Sequence, residues 1–139
     1  MASFNKFNAF VENVAEKVHN LGADTLKVML TNTAPVAGNS VKSDLTEISA
    51  GNGYTAGGTA ATISSSSQTS GTYKLVLADV VFTASGGSIG PFRYAVLYND
   101  TAASDELIGW WDYGSSITLA SGENFTVDFD PSAGVLTLA

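Results

Sequence analysis

The residue types that usually carry catalysis or metal binding are scarce in this sequence. His19 is the only histidine and there is no cysteine, so one chain cannot assemble the usual zinc or copper ligand sets or perform thiol catalysis. A Ser-His-Asp arrangement would have to use His19, and no Gly-x-Ser-x-Gly elbow accompanies it. Because His19 stands at the end of an amphipathic pattern, we interpret it as a helix-capping residue near the surface.

Carboxylates are the remaining candidates for chemistry, because residues 100–139 are acidic and contain no lysine or arginine. A glycosidase needs two carboxylates in one cleft, but no spacing selects a pair. Asp112, Asp128 and Asp130 suit a hard cation such as calcium, although a solvated face and turn positions are the favoured explanation. The glycine-rich segments at 51–58 and 85–90 lack the ending of a phosphate-binding loop and are predicted to be turns. We therefore predict no enzyme activity, no cofactor and no metal site.

Aromatic side chains are concentrated between residues 92 and 113. In a regular strand, the adjacent Trp110 and Trp111 point to opposite faces, so one can fill the core while the other meets solvent, a neighbouring chain or a ligand. Burial of both is an equal alternative. An exposed tryptophan beside tyrosines suits either a stacked sugar or a protein interface.

The elements that must position these residues are mostly strands. Apolar residues at spacings of three, four and seven predict one amphipathic helix over residues 4–21, with Gly22 as its C-terminal cap. Residues 51–71 are rich in glycine and serine and are predicted to be loops around a short strand-like piece at 59–63. From residue 72 onward, short strand-like runs alternate with turn residues.

Together these elements predict a single β-rich domain over residues 1–139. The expected fold is mainly β: an antiparallel β-sandwich or partly open barrel with one N-terminal amphipathic α-helix, because parallel sheets would need intervening crossover helices. An apolar fraction of 45% with only 14% charged residues favours a folded chain over a disordered one.

Charge and hydrophobicity exclude two classes of partner. The formal net charge is −7, and the six basic residues are scattered, so we expect no nucleic-acid binding. No apolar run approaches the ~20 residues needed to span a bilayer, so we expect no membrane insertion. The N-terminus lacks the pattern of a secretory signal, and we expect synthesis in the cytoplasm.

Long phrases of the sequence resemble small structural proteins of tailed bacteriophages. They are FNKFNAFVENVAEKVHNLGADTLKVMLTNTAPVA, EISAGNGYTAGG, QTSGTYKLVLADVVFTASGGSIGPFRYAVLYNDT and LIGWWDYGSSITLASGENFTVDFDPSAGVLTLA, which together cover most of the chain. The resemblance implies a virion component made in the host cytoplasm, most simply a capsid decoration (cement) protein on the outer head surface. Its implied partners are the major capsid protein and further copies of itself, with a trimer favoured.

The resemblance transfers no functional residue, and it leaves a second location open. The alternative is a tail, baseplate or fibre-associated module whose aromatic residues bind a carbohydrate or receptor. As protein contacts we predict residues chosen for apolar character near a chain end or for strand alternation: Phe4, Phe7, Tyr94, Trp110 and Trp111.

Overall fold

The computed structural model describes residues 2–139, and antiparallel β-strands make up most of their regular structure. The helical elements of this part of the chain are α1 (Ala9–Ala15) and one 3₁₀ turn (Lys42–Asp44). The ten strands are β1 (Asn5–Lys6), β2 (Leu26–Thr31), β3 (Thr59–Ala61), β4 (Ile63–Thr69), β5 (Thr72–Leu77), β6 (Val80–Thr83), β7 (Ile89–Asn99), β8 (Leu107–Leu119), β9 (Asn124–Val127) and β10 (Leu136–Leu138).

The strands form three antiparallel sheets. The largest has the order β1-β8-β7-β2-β3, the second has the order β10-β5-β4, and the third consists of β6 and β9. Every pairing is antiparallel, and no sheet among residues 2–139 closes on itself. The expected mainly β, antiparallel, sandwich-like class is therefore confirmed.

Apolar side chains cover both faces of the largest sheet. Along β2, Leu26, Val28 and Leu30 point into a core shared with the other two sheets, and we call this side of the sheet the main-core face. Met29 points the other way into a smaller cluster, and we call that side the second-core face. The second cluster consists of Phe7, Met29, Leu45, Val96, Tyr98 and Leu107, with Trp110 packed against it.

The predicted helix over residues 4–21 is wrong in its extent, since only Ala9–Ala15 are helical. Residues before α1 form β1, which pairs with β8, and Phe7 continues this pairing by donating its N–H to the carbonyl of Ile108. Lys17 ends the helical region with a φ of 69°, well before Gly22. The helical spacing arose because Phe7 and Phe10 are both buried, but in different clusters.

The predicted loops over residues 51–71 are also only partly correct. The serine-rich stretch forms β4, an edge strand that pairs with β5 through a turn at Ser70 and Gly71, both with positive φ. Four consecutive serines lack the β-branched and aromatic residues that normally mark a strand, so its pairing with β5 determines the conformation. Residues 51–58 do form turns, as the glycines indicate.

Tyr54 anchors the turn-rich segment in the core. Its hydroxyl accepts the N–H of Leu30 (3.0 Å) and donates to Oε1 of Glu47 (2.8 Å). Pairing of β2 with β3 ends at Val28, so the Tyr54 hydroxyl supplies the hydrogen bond that a longer β3 would have given to Leu30. Burial, as the largest cause, raises the pKa of Tyr54.

Candidate functional site

The adjacent tryptophans of β8 point to opposite faces, as the strand alternation predicted. Trp110 packs on Phe7 at the second-core face, with ring centroids 4.6 Å apart. Trp111 lies on the main-core face between Phe4 (5.3 Å) and Phe129 (5.4 Å). Both indoles are half-buried, so each contributes to packing and still keeps accessible surface.

The predicted contact residues do not form one continuous patch. Phe7 is 0% exposed and therefore has no surface to offer a partner in the folded chain. Phe4, Tyr94, Trp110 and Trp111 are half-buried and keep some surface. Because Trp110 and Trp111 lie on opposite faces, the prediction divides into two separate surfaces.

A groove lined by aromatic side chains opens on the main-core face between β8 and β9, and we call it the aromatic groove. Its volume is about 290 Å³. β7 and β8 form one wall and residues 125–128 form the other. Its lining residues are Ala2, Arg93, Ala95, Trp111, Tyr113, Phe125, Thr126, Val127 and Asp128.

Packing against the core fixes the aromatic walls of this groove. Tyr113 is 55% exposed and meets Phe125 edge-on, with centroids 5.5 Å apart. Phe125 rests in turn on buried Phe92 at 4.9 Å, again edge to face. Trp111 is held by its contacts with Phe4 and Phe129. The rings therefore form a preorganised surface whose outermost member is Tyr113.

Arg93, a lining residue of the groove, forms an ion pair with Asp112. Arg93 donates Nε and Nη2 to the two carboxylate oxygens of Asp112, at 2.8 and 3.0 Å. The backbone N–H of Gly114 also donates to Oδ1 of Asp112 (2.8 Å). The hydrogen bonds from Arg93, followed by the one from Gly114, lower the pKa of Asp112, and the Asp112 carboxylate raises the pKa of Arg93. The Arg93 guanidinium is thus oriented, and its charge is neutralised by Asp112.

The N-terminal segment reaches the groove because of a glycine in β8. The β1–β8 register pairs Asn5 with Trp110, which carries Ala2 along β8 to the groove. Phe4 lies on Gly109, and a Cβ atom at that position would overlap its ring. The absence of a side chain at Gly109 therefore allows the N-terminal segment to pack there.

The acidic residues proposed for a cation do not come together. Asp112 is held by Arg93, while Asp130 accepts the N–H groups of Ser132 and Ala133 within its own turn. Those two hydrogen bonds lower the pKa of Asp130. Within residues 2–139, no group of three or more histidine, aspartate or glutamate side chains is arranged to hold a metal ion.

His19 lies outside the helix and is buried, so its expected position as a surface helix cap is wrong. The Asn99 side-chain amide donates to Nδ1 of His19 (3.0 Å) and to Oδ2 of Asp24 (2.7 Å). The side-chain oxygen Oδ1 of Asn99 accepts the backbone N–H groups of Thr101 and Ala102, which fixes the orientation of the side-chain amide. Desolvation lowers the pKa of His19, partly offset by Glu106 and Asp24. This arrangement keeps the imidazole neutral and points to a structural role.

Sequence reasoning missed Tyr113 and Phe125 as members of a site. Tyr113 is two residues beyond Trp111, so strand alternation could have placed it on the same face. Phe125 belongs to another sheet, and only the packing of β9 against the largest sheet brings it to the groove.

Comparisons with known proteins identify no relative: no protein-family model, curated protein or solved structure matches the chain. Among residues 2–139 there is also no helix with the length and apolar character required to cross a membrane.

Proposed function

We propose that this protein is a non-enzymatic structural component of a tailed bacteriophage virion, namely a capsid decoration protein on the outer head surface. The observation that carries the proposal is the resemblance of its sequence phrases, which together cover most of the 139 residues, to such proteins. The proposed partners are the major capsid protein and further copies of this chain, with a trimer favoured.

The physical character of the chain supports this function. A net charge of −7 suits an outer surface away from packaged DNA. Tyr94 and Trp110 are half-buried, so part of each ring packs within the protein while the rest is accessible to a partner. Binding to the assembled shell and not to free subunits stabilises the shell by mass action, and a repeated lattice multiplies a modest contact.

The test is to locate the protein on purified virions by cryo-electron microscopy and to compare particles with and without it. Regular density over the head, together with lower heat resistance of particles that lack the protein, is the expected result. Equal heat resistance of both particles, or density at the tail alone, would overturn the assignment. Trp110→Ala and Trp111→Ala form a matched pair, because they alter opposite faces of β8 and identify which face meets the shell.

The aromatic groove favours a second candidate function, a tail, baseplate or fibre-associated module that binds a receptor or carbohydrate. The groove presents the exposed ring of Tyr113 and part of the ring of Trp111 to solvent. Accessible aromatic rings in a concave site are typical of ligand-binding surfaces. This candidate predicts label on the tail and loss of adsorption to the host after Trp111→Ala. Trp110→Ala is the control, since Trp110 lies on the opposite face and should leave adsorption intact.

A further inference from the structure

We infer that the aromatic groove is a binding site for a neutral saccharide ring. This inference deepens the second candidate function by naming the ligand class of the groove, and it rests on that candidate's carbohydrate ligand, not on the decoration role. It follows from three features of the groove: its fixed aromatic wall, its unpaired polar groups and its charge.

The aromatic wall offers a stacking surface that exists before any ligand arrives. Tyr113 is exposed, while Phe125 beneath it is held by the buried ring of Phe92. A pyranose ring presents C–H groups on one face, and such a face packs well on an aromatic ring. Since the rings are already ordered, little conformational entropy is lost when a ligand stacks on them.

Polar lining residues of the groove provide both donors and acceptors beside that surface. Arg93 uses Nε and one N–H of Nη2 on Asp112, which leaves three guanidinium N–H groups without a hydrogen bond in the described part of the chain. The Asp128 carboxylate and the Thr126 hydroxyl also make no hydrogen bond within residues 2–139, and both are exposed. Sugar hydroxyls donate and accept, so they can pair with all of these groups.

An apolar side chain of a partner protein would complement the aromatic wall of the groove but not its polar groups. It would fill the space against Tyr113 and Phe125, but it would desolvate the free N–H groups of Arg93 and the Asp128 carboxylate without replacing their hydrogen bonds. The volume of about 290 Å³ is just below the roughly 300–1,000 Å³ of ligand pockets, which suits one ring-sized group.

The charge of the groove selects a neutral sugar over an acidic one. Asp112 already neutralises the guanidinium of Arg93, and Asp128 adds a negative charge that no cation of the described chain balances within hydrogen-bonding distance. A uronic or sialic acid would bring its carboxylate towards this charge on a protein of net charge −7. Glucose-, galactose- or N-acetylglucosamine-type rings avoid this repulsion.

The two tryptophans allow a direct binding test on the intact protein. Trp110→Phe leaves Trp111 as the only tryptophan, so its fluorescence reports the groove, and Trp111→Phe leaves Trp110 as a reporter for the opposite face. Both variants are titrated with short neutral oligosaccharides of glucose, galactose and N-acetylglucosamine, and with oligogalacturonate. We expect a saturable change with at least one neutral series in Trp110→Phe, and none in Trp111→Phe.

Two substitutions then assign the binding to the groove. Tyr113→Ala should weaken binding about tenfold, because it removes the exposed stacking ring. Tyr73→Ala removes a half-buried tyrosine of β5 outside the groove and should leave binding unchanged. Asp128→Asn, an exposed change that conserves shape, should reduce the preference for neutral over acidic sugars. Circular dichroism melting curves verify that each variant folds.

Four results would each overturn the inference. They are the absence of a Trp111 response to every neutral series, binding of oligogalacturonate alone, unchanged affinity in folded Tyr113→Ala, and a Tyr113→Ala effect on oligomeric state with none on sugar binding. The last result would identify a second copy of the chain as the occupant. None of these outcomes tests the location of the protein on the virion, so failure here is distinguishable from failure of the decoration proposal.

Discussion

Replacing Phe7 with alanine tests whether this residue is a core residue or an interface residue. Phe7 is 0% exposed and packs on Trp110 in the second cluster. Truncation of a buried phenylalanine to alanine costs about 3–5 kcal/mol, which combines the lost transfer free energy with that of the remaining cavity. For a chain of this length the expected fall in Tm is about 10–20 °C.

The assay is urea and thermal unfolding of the purified protein, followed by near-ultraviolet circular dichroism at two protein concentrations. A core role predicts the same loss of unfolding free energy at both concentrations, whereas an interface role makes the loss depend on concentration. Tyr113→Ala is the control and should cost less than about 1 kcal/mol, because Tyr113 is 55% exposed. A loss below about 1 kcal/mol for Phe7→Ala would refute the packing described for the second-core face.

Three further predictions concern the hydrogen bonds and packing that hold the sheets. Tyr54→Phe should lower the unfolding free energy by about 1–3 kcal/mol in urea titrations, since it leaves a buried N–H of β2 unpaired. Because burial lowers the pKa of His19 below 6.5, the unfolded chain binds more protons, so stability is full above pH 6.5 and falls below it. His19→Gln should flatten this urea-measured dependence on pH. Gly109→Ala should displace the ring of Phe4 and increase amide hydrogen exchange in β1.

Local patterning was sufficient to predict the class of the fold and the division of the tryptophans. Period-two alternation in β2 places Leu26, Val28 and Leu30 on one face and Met29 on the other, as the structure has them. The same rule separates Trp110 from Trp111 without knowledge of any neighbouring strand. Where a feature depends on the chain's own alternation, the sequence alone is informative.

The errors arose where contacts distant in sequence override local preference. Phe7 has helical spacing relative to Phe10, yet pairing with β8 draws the segment before α1 into an extended conformation. The serines of β4 carry no strand signal of their own, and they become a strand because β5 pairs with them. Likewise the groove required the approach of Phe125 to Tyr113, which no local pattern encodes.

The structure of β8 separates stability from recognition within a single strand. Trp110 turns towards a closed cluster that contains fully buried Phe7, whereas Trp111 turns towards the groove with its exposed Tyr113. Substitution of fully buried residues of the second-core face, such as Phe7, should therefore act mainly through folding, whereas substitution of exposed groove residues, such as Tyr113, should act mainly through binding. Trp110 and Trp111 are neighbours in β8 but face opposite sides of the sheet. Substitutions at the two positions therefore perturb the same strand on different faces. An effect on virion assembly or adsorption that follows Trp111 but not Trp110 would therefore point to recognition, since a general loss of β8 stability would follow both.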